Sequence, residues 1–223
     1  MNFFGHAAIA ASQFSHEQPV LGPAALARLC AGAMLPDFVS MLRLAEPTVL
    51  DDSLARGVAF HHRTDHAFHE LPSFHALSRL TFEWLSERDM PRGPARAIAH
   101  IGIEILLDEV LAEDAPARAA YRAALATPLD AALDFPAEGD PERLQSLRRD
   151  LLDRAVAPYA PAPDLVARRI RRSLAARPRL ATDDAGEALL CAWVPSARLL
   201  VAAEAPALLA TLRARLANPE RAE

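Results

Sequence analysis

From Ala97 to Ala112 the chain reads AIAHIGIEILLDEVLA, apolar almost all the way round a helix except at His100, Glu104, Asp108 and Glu109. His100, Glu104 and Asp108 stand four apart, and four residues advance a helix by about 400°, so the three stack along one face. A helix this apolar on every side is normally buried. A buried carboxylate is costly unless something positive pairs with it. The chain contains no lysine, so the partner has to be arginine, histidine or a metal ion.

The pattern from Asp52 to Glu70 predicts a second helix of the same kind. Leu54, Val58, His61, Asp65 and Phe68 form its inward stripe, with His61 and Asp65 where leucines would be expected. His69 lies one turn further, at the edge of that stripe. His62 and His66 make a pair rotated to the side, and Arg63 points away. His62, His66 and His75 read as surface residues.

Elsewhere the apolar spacing predicts helices over 3–13, 23–34, 37–44, 73–88, 94–112, 115–126, 141–156, 164–176 and 183–216, the last interrupted near Pro195 and Pro206. Almost nothing alternates with the period of a strand. The expectation is an all-α, single-domain helical bundle. Residues 1–114 would carry the metal site, 115–163 would form a helical insertion or lid, and 164–223 would pack on the same core. The run APYAPAP at 157–163 reads as a stiff connector, and 218–223 should fray.

Composition narrows the class. At 223 residues, 52% hydrophobic and 24% charged, the chain is long enough to bury a core. A net charge of −5 gives no general basis for binding nucleic acid. Cys30 and Cys191 sit in apolar helical contexts without a CxxC pair, as core thiols of a reducing compartment do. The start, MNFFGHAAIAASQF, lacks a basic region and is broken by His6, which argues against a signal peptide. No uninterrupted bilayer-length span is expected, and the expected location is cytoplasmic.

Imidazole nitrogens mixed with carboxylate oxygens, without cysteine, suit manganese, iron or zinc, with manganese or iron(II) placed first. His61, Asp65, His100, Glu104 and Asp108 are expected to converge, with His6 and Asp37 nearby.

Laid out in order, these residues resemble the acyl carrier protein phosphodiesterase family, also called acyl carrier protein hydrolases. The similarity runs through the start Met1-Asn2-Phe3-Phe4-Gly5-His6 and the segment Gly32-Ala33-Met34-Leu35-Pro36-Asp37-Phe38-Val39. It continues through Gly57-Val58-Ala59-Phe60-His61-His62-Arg63-Thr64-Asp65, on to His69 and Pro72. It then covers Ile103 to Leu111 and Arg177-Pro178-Arg179-Leu180. The resemblance implies a helical fold related to the HD-type phosphohydrolases. It also implies manganese-dependent removal of 4′-phosphopantetheine from holo-acyl carrier protein, with His6, Asp37, His61, Asp65 and Asp108 at metal and catalytic positions. The chain departs from the family pattern at His69, Glu104, Glu109, Ala33 and His62. His69 and Glu104 replace family carboxylates with other ligand-type side chains, and His100 is an addition one turn before Glu104.

An ion in such a site with an open position would lower the pKa of bound water from about 15.7 toward about 7. Asp65 and Glu104 are the expected acid–base groups. Glu104 is preferred over Glu109, which lies off the stripe, and Arg63 is the candidate phosphate contact. Arg168, Arg169, Arg171 and Arg172 form the one obvious basic cluster that could receive an acidic carrier protein. Two other readings stand beside this one. One is a metallohydrolase for a small phosphoester or nucleotide. The other is a non-enzymatic metal-binding helical protein, to which the absence of a Glu-x-x-His pair lends no support.

Overall fold

Proline at the first or second position opens the helices Pro72–Ser86, Ala115–Ala126, Asp140–Asp153 and Pro163–Leu174, where its missing N–H has no carbonyl partner to lose. The computed structural model describes residues 1–15, 18–154 and 161–217. Among these the fold is all-α. The helices are α1 (Phe3–Phe14), α2 (Gln18–Leu42), α3 (Asp52–His69), α4 (Pro72–Ser86), α5 (Arg92–Leu111), α6 (Ala115–Ala126), α7 (Asp140–Asp153), α8 (Pro163–Leu174) and α9 (Asp184–Ala217). Two short strands, β1 (Thr48–Val49) and β2 (Leu133–Asp134), pair antiparallel with Thr48 opposite Asp134. The expected connector at 157–163 lies mostly outside the described residues, and the expected fraying end at 218–223 wholly so.

Three expected helix breaks are absent. The sequence places a boundary at Pro36, yet α2 runs through it. The break in α2 falls instead at Gly22, whose φ of 66° is a left-handed conformation that favours glycine, and helical geometry resumes at Pro23. Pro36 is carried because buried Leu29, Ala33, Met34, Leu35 and Phe38 hold both sides of it in one core. In α9 the expected interruptions at Pro195 and Pro206 are likewise absent. Both prolines are exposed, while Trp193, Val194, Ala197, Val201, Ala205, Leu208 and Leu212 keep one buried stripe through them. Here packing overrides propensity.

The chain forms two compact units, Met1–His66 with Leu111–Pro158 and Ala67–Val110 with Tyr159–Glu223. Their boundaries cut across the three consecutive segments expected from sequence. Helix α3 belongs to the first unit as far as His66, and its last turn to the second.

In the first unit α1 packs on α2 and α6, and α6 packs on α7. Helix α6, drawn from the segment expected as a lid, contributes buried Tyr121, whose ring lies 6.3 Å from Phe3 and 5.0 Å from Phe4. Arg148 is buried on α7 and donates to the carbonyls of Ala124, Leu125 and Thr127, closing the exposed end of α6. Helices α2 and α3 meet at Gly32 and Gly57. A β-carbon on Gly57 would lie against the Leu29 carbonyl oxygen and 2.9 Å from both Ala33 N and Gly32 Cα.

In the second unit α8 and α9 pack along their length, and α4 lies against α9. Buried Val166, Ala167, Ile170 and Leu174 form the inner face of α8. Gly102 on α5 admits the Trp193 ring of α9, which would stand 2.7 Å from a β-carbon there.

The expectation of no bilayer-length span needs correction. Residues Leu21–Leu42 and Asp184–Ala217 are long and apolar enough to cross a membrane by length and composition, with 56% and 33% of their apolar windows buried in the fold. By propensity Pro36, Pro195 and Pro206 would break both stretches, but the helices run through them. Cys30 and Cys191 are free thiols, and burial pushes the Cys30 thiol up to about 12.

Candidate metal centres

The ligand-type residues gather into two groups, one within each unit. In the first unit His6 on α1 and His61 and Asp65 on α3 place one ligand atom each within 4.8 Å of one another. His61 and Asp65 are one turn apart on α3, and the two imidazole centroids lie 4.0 Å apart. His6 Nε2 is 3.7 Å from Asp65 Oδ1, and the Met1 amino group donates to the same oxygen at 3.2 Å.

The surroundings of the two histidines suit metal binding. His61 Nδ1 lies 2.9 Å from the Ala33 carbonyl oxygen. A carbonyl only accepts, so Nδ1 carries the proton and donates, and Nε2 keeps its lone pair. His6 is 0% exposed, and neither of its ring nitrogens makes a hydrogen bond. Leaving buried polar atoms unmade costs about 1–3 kcal/mol, a cost that coordination would remove. Burial holds both imidazoles below their ordinary value, His6 at about 3. Both are therefore neutral, as ligation requires.

This depression gives a pH prediction. Between about 6.5 and about 3 the unfolded chain binds a proton at residue 6 and the folded chain does not. Stability must therefore rise with pH across that window and fall on acidification. In metal-free protein, taking pH from 7 to 4.5 should remove about 2 kcal/mol through His6. Urea unfolding of wild type and His6→Asn at both pH values checks this, and equal pH dependence in the two proteins would refute it.

In the second unit His69, from the last turn of α3, meets His100 and Glu104 on α5. His69 Nε2, His100 Nε2 and Glu104 Oε1 stand 3.1 Å from one another on all three sides. The imidazole rings stack at 4.7 Å, and the Phe74 ring meets both at 5.2 and 5.3 Å. Burial opposes ionisation of Glu104, but positive charge around it and the hydrogen bonds from His100 and His69 outweigh that, and the carboxyl is held well below the usual carboxylate range.

The remaining candidates are placed as follows. Asp108 is buried on α5, with Arg169 of α8 at 3.5 Å, and stands outside the His69–His100–Glu104 group. Asp37 is half-buried on α2, one turn beyond Ala33, and stands outside the first trio. Arg63 is exposed, with its guanidinium 5.6 Å from the Phe60 ring. His62, His66 and His75 are exposed. Glu109 forms a two-pronged ion pair with Arg198 of α9, which also donates to the Pro161 carbonyl. In the arginine cluster Arg168 pairs with Asp164, Arg171 with Asp184 and Glu187, and Arg172 Nε donates to the Arg168 carbonyl.

Three contributors were not anticipated. They are the Met1 amino group on Asp65, the Ala33 carbonyl on His61 and the Phe74 ring beside the second group. The first two involve main-chain atoms, which no side-chain pattern advertises. Phe74 is one more apolar residue in the sequence.

The chain matches no protein-family model, no curated protein and no solved structure.

Proposed function

We propose that this protein is a metal-dependent phosphoester hydrolase whose centre is His6, His61 and Asp65. The observation that carries the proposal is a pair of neutral, buried imidazoles converging on a carboxylate, one of them with neither ring nitrogen hydrogen-bonded and the other pinned through Nδ1. Two nitrogens and one oxygen suit manganese or iron(II). When bound, such an ion supplies a lowered water pKa and neutralises charge on a phosphoryl oxygen. The chain's own part is positional. The Ala33 carbonyl fixes the His61 ring, burial keeps His6 unprotonated, and Asp65, at 39% exposure, is the member of the three open to water. Asp65 is also the group placed to accept a proton.

The ordered resemblance to acyl carrier protein phosphodiesterases supports holo-acyl carrier protein as substrate and a kinship to HD-type hydrolases. The arginine cluster favours a second reading, a small phosphodiester or phosphomonoester. Arg168, Arg169 and Arg171 already pair with carboxylates of this chain, which leaves less charge for an acidic protein partner. Manganese-loaded protein incubated with holo-carrier protein should remove the phosphopantetheine mass from it. Cleavage of a generic phosphodiester without that loss establishes the small-substrate reading. Cleavage of neither under any divalent ion refutes the hydrolase and favours a non-enzymatic metal-binding role.

A further inference from the structure

We infer that His69, His100 and Glu104 form a second, separate metal site for a borderline divalent ion of the zinc class. This site lies wholly in the second unit and does not depend on the hydrolase reading.

Three observations carry it. The first is the shape of the donor set. Three ligand atoms at 3.1 Å from one another form an equilateral triangle. An ion at the usual distance of about 2.0–2.1 Å from each would see every pair under an angle of about 100°, between octahedral and tetrahedral. The second is pre-organisation. The stacked imidazoles are both braced by the Phe74 ring, and His100 and Glu104 are one turn apart on α5. Their rotamers are thus set before an ion arrives, which lowers the ordering cost of binding. The third is chemistry and access. Two imidazoles and a single carboxylate, the same donor set as in the first unit, suit a first-row transition ion, zinc included, rather than magnesium or calcium, whose cages are carboxylate-rich. The Glu104 side chain is only 13% exposed, but that of His100 is 46% exposed, so water can reach the open side and complete the coordination shell. Three protein ligands with one open position is an arrangement zinc adopts readily. A bound ion would tie the last turn of α3 to α5.

Cobalt(II) tests the site, since it reports its coordination by visible absorption. The full chain, stripped with chelator, is titrated with cobalt(II), and zinc uptake is counted by elemental analysis. Wild type should show a ligand-field band and a zinc-dependent rise in melting temperature. His100→Gln and Glu104→Gln should each lose one equivalent and the band of this site, whereas Asp65→Asn, which removes a ligand of the first centre, should keep that band. The exposure of His100 makes its substitution compatible with folding. The proposal is overturned if His100→Gln binds as many equivalents with an unchanged spectrum, or if Asp65→Asn abolishes the band. Absence of hydrolysis with the cobalt band intact removes the hydrolase alone. Hydrolysis without the band removes this site alone.

Discussion

Asp65→Asn should lower manganese-dependent phosphoester turnover by about 10³-fold or more, equivalent to ~4 kcal/mol of lost transition-state stabilisation. The asparagine keeps an oxygen that can accept from the Met1 amino group, so the local hydrogen bond and the fold should survive. What disappears is the charge that converges with His6 and His61. Manganese affinity should fall together with turnover, and the manganese-induced rise in melting temperature should shrink with it. Measuring all three on one preparation separates loss of the centre from loss of structure. Turnover within tenfold of wild type would place the chemistry elsewhere and sink the proposed centre.

Much of this site is legible in the amino-acid pattern because helical periodicity is strict. Of the stripe Leu54, Val58, His61, Asp65 and Phe68, three members, Leu54, His61 and Phe68, are buried, and Val58 and Asp65 are half-buried. His100 and Glu104 were read as neighbours across one turn, and they are. The same periodicity shows where the reading overreached. Eight residues advance a helix by about 800°, so Asp108 is rotated about 80° from His100. Treated as one face, the stripe predicts a third ligand. The structure instead sets Asp108 beside Arg169.

Long-range pairing was not legible. Glu109 and Arg198 are 89 positions apart, and nothing local marks them as partners. In the arginine cluster a local signal does exist: Asp164 precedes Arg168 by four residues, a spacing that announces the internal pair the structure shows. The prolines of α2 and α9 were judged by intrinsic propensity, whereas continuous burial on either side decides their conformation.

Gly57→Ala should cost about 3 kcal/mol or more and disable the first-unit centre at the same time. Overpacking in a core usually costs about 1–3 kcal/mol because side chains can shift. Here the new β-carbon would meet backbone on every side: the Leu29 carbonyl oxygen, Ala33 N and Gly32 Cα. No rotamer relieves that contact, so α3 has to move away from α2. His61 lies one turn beyond Gly57 on α3, and Ala33 follows Gly32 on α2. Separating the helices therefore breaks the 2.9 Å contact between His61 Nδ1 and the Ala33 carbonyl. That contact fixes both the tautomer and the direction of Nε2. Urea unfolding should show the lost stability. Metal titration of the fraction still folded should show weakened manganese binding with cobalt binding at His69, His100 and Glu104 retained. Wild-type stability in Gly57→Ala would mean that the α2–α3 approach is looser than described, and wild-type manganese affinity would mean that the Ala33 carbonyl does not orient His61.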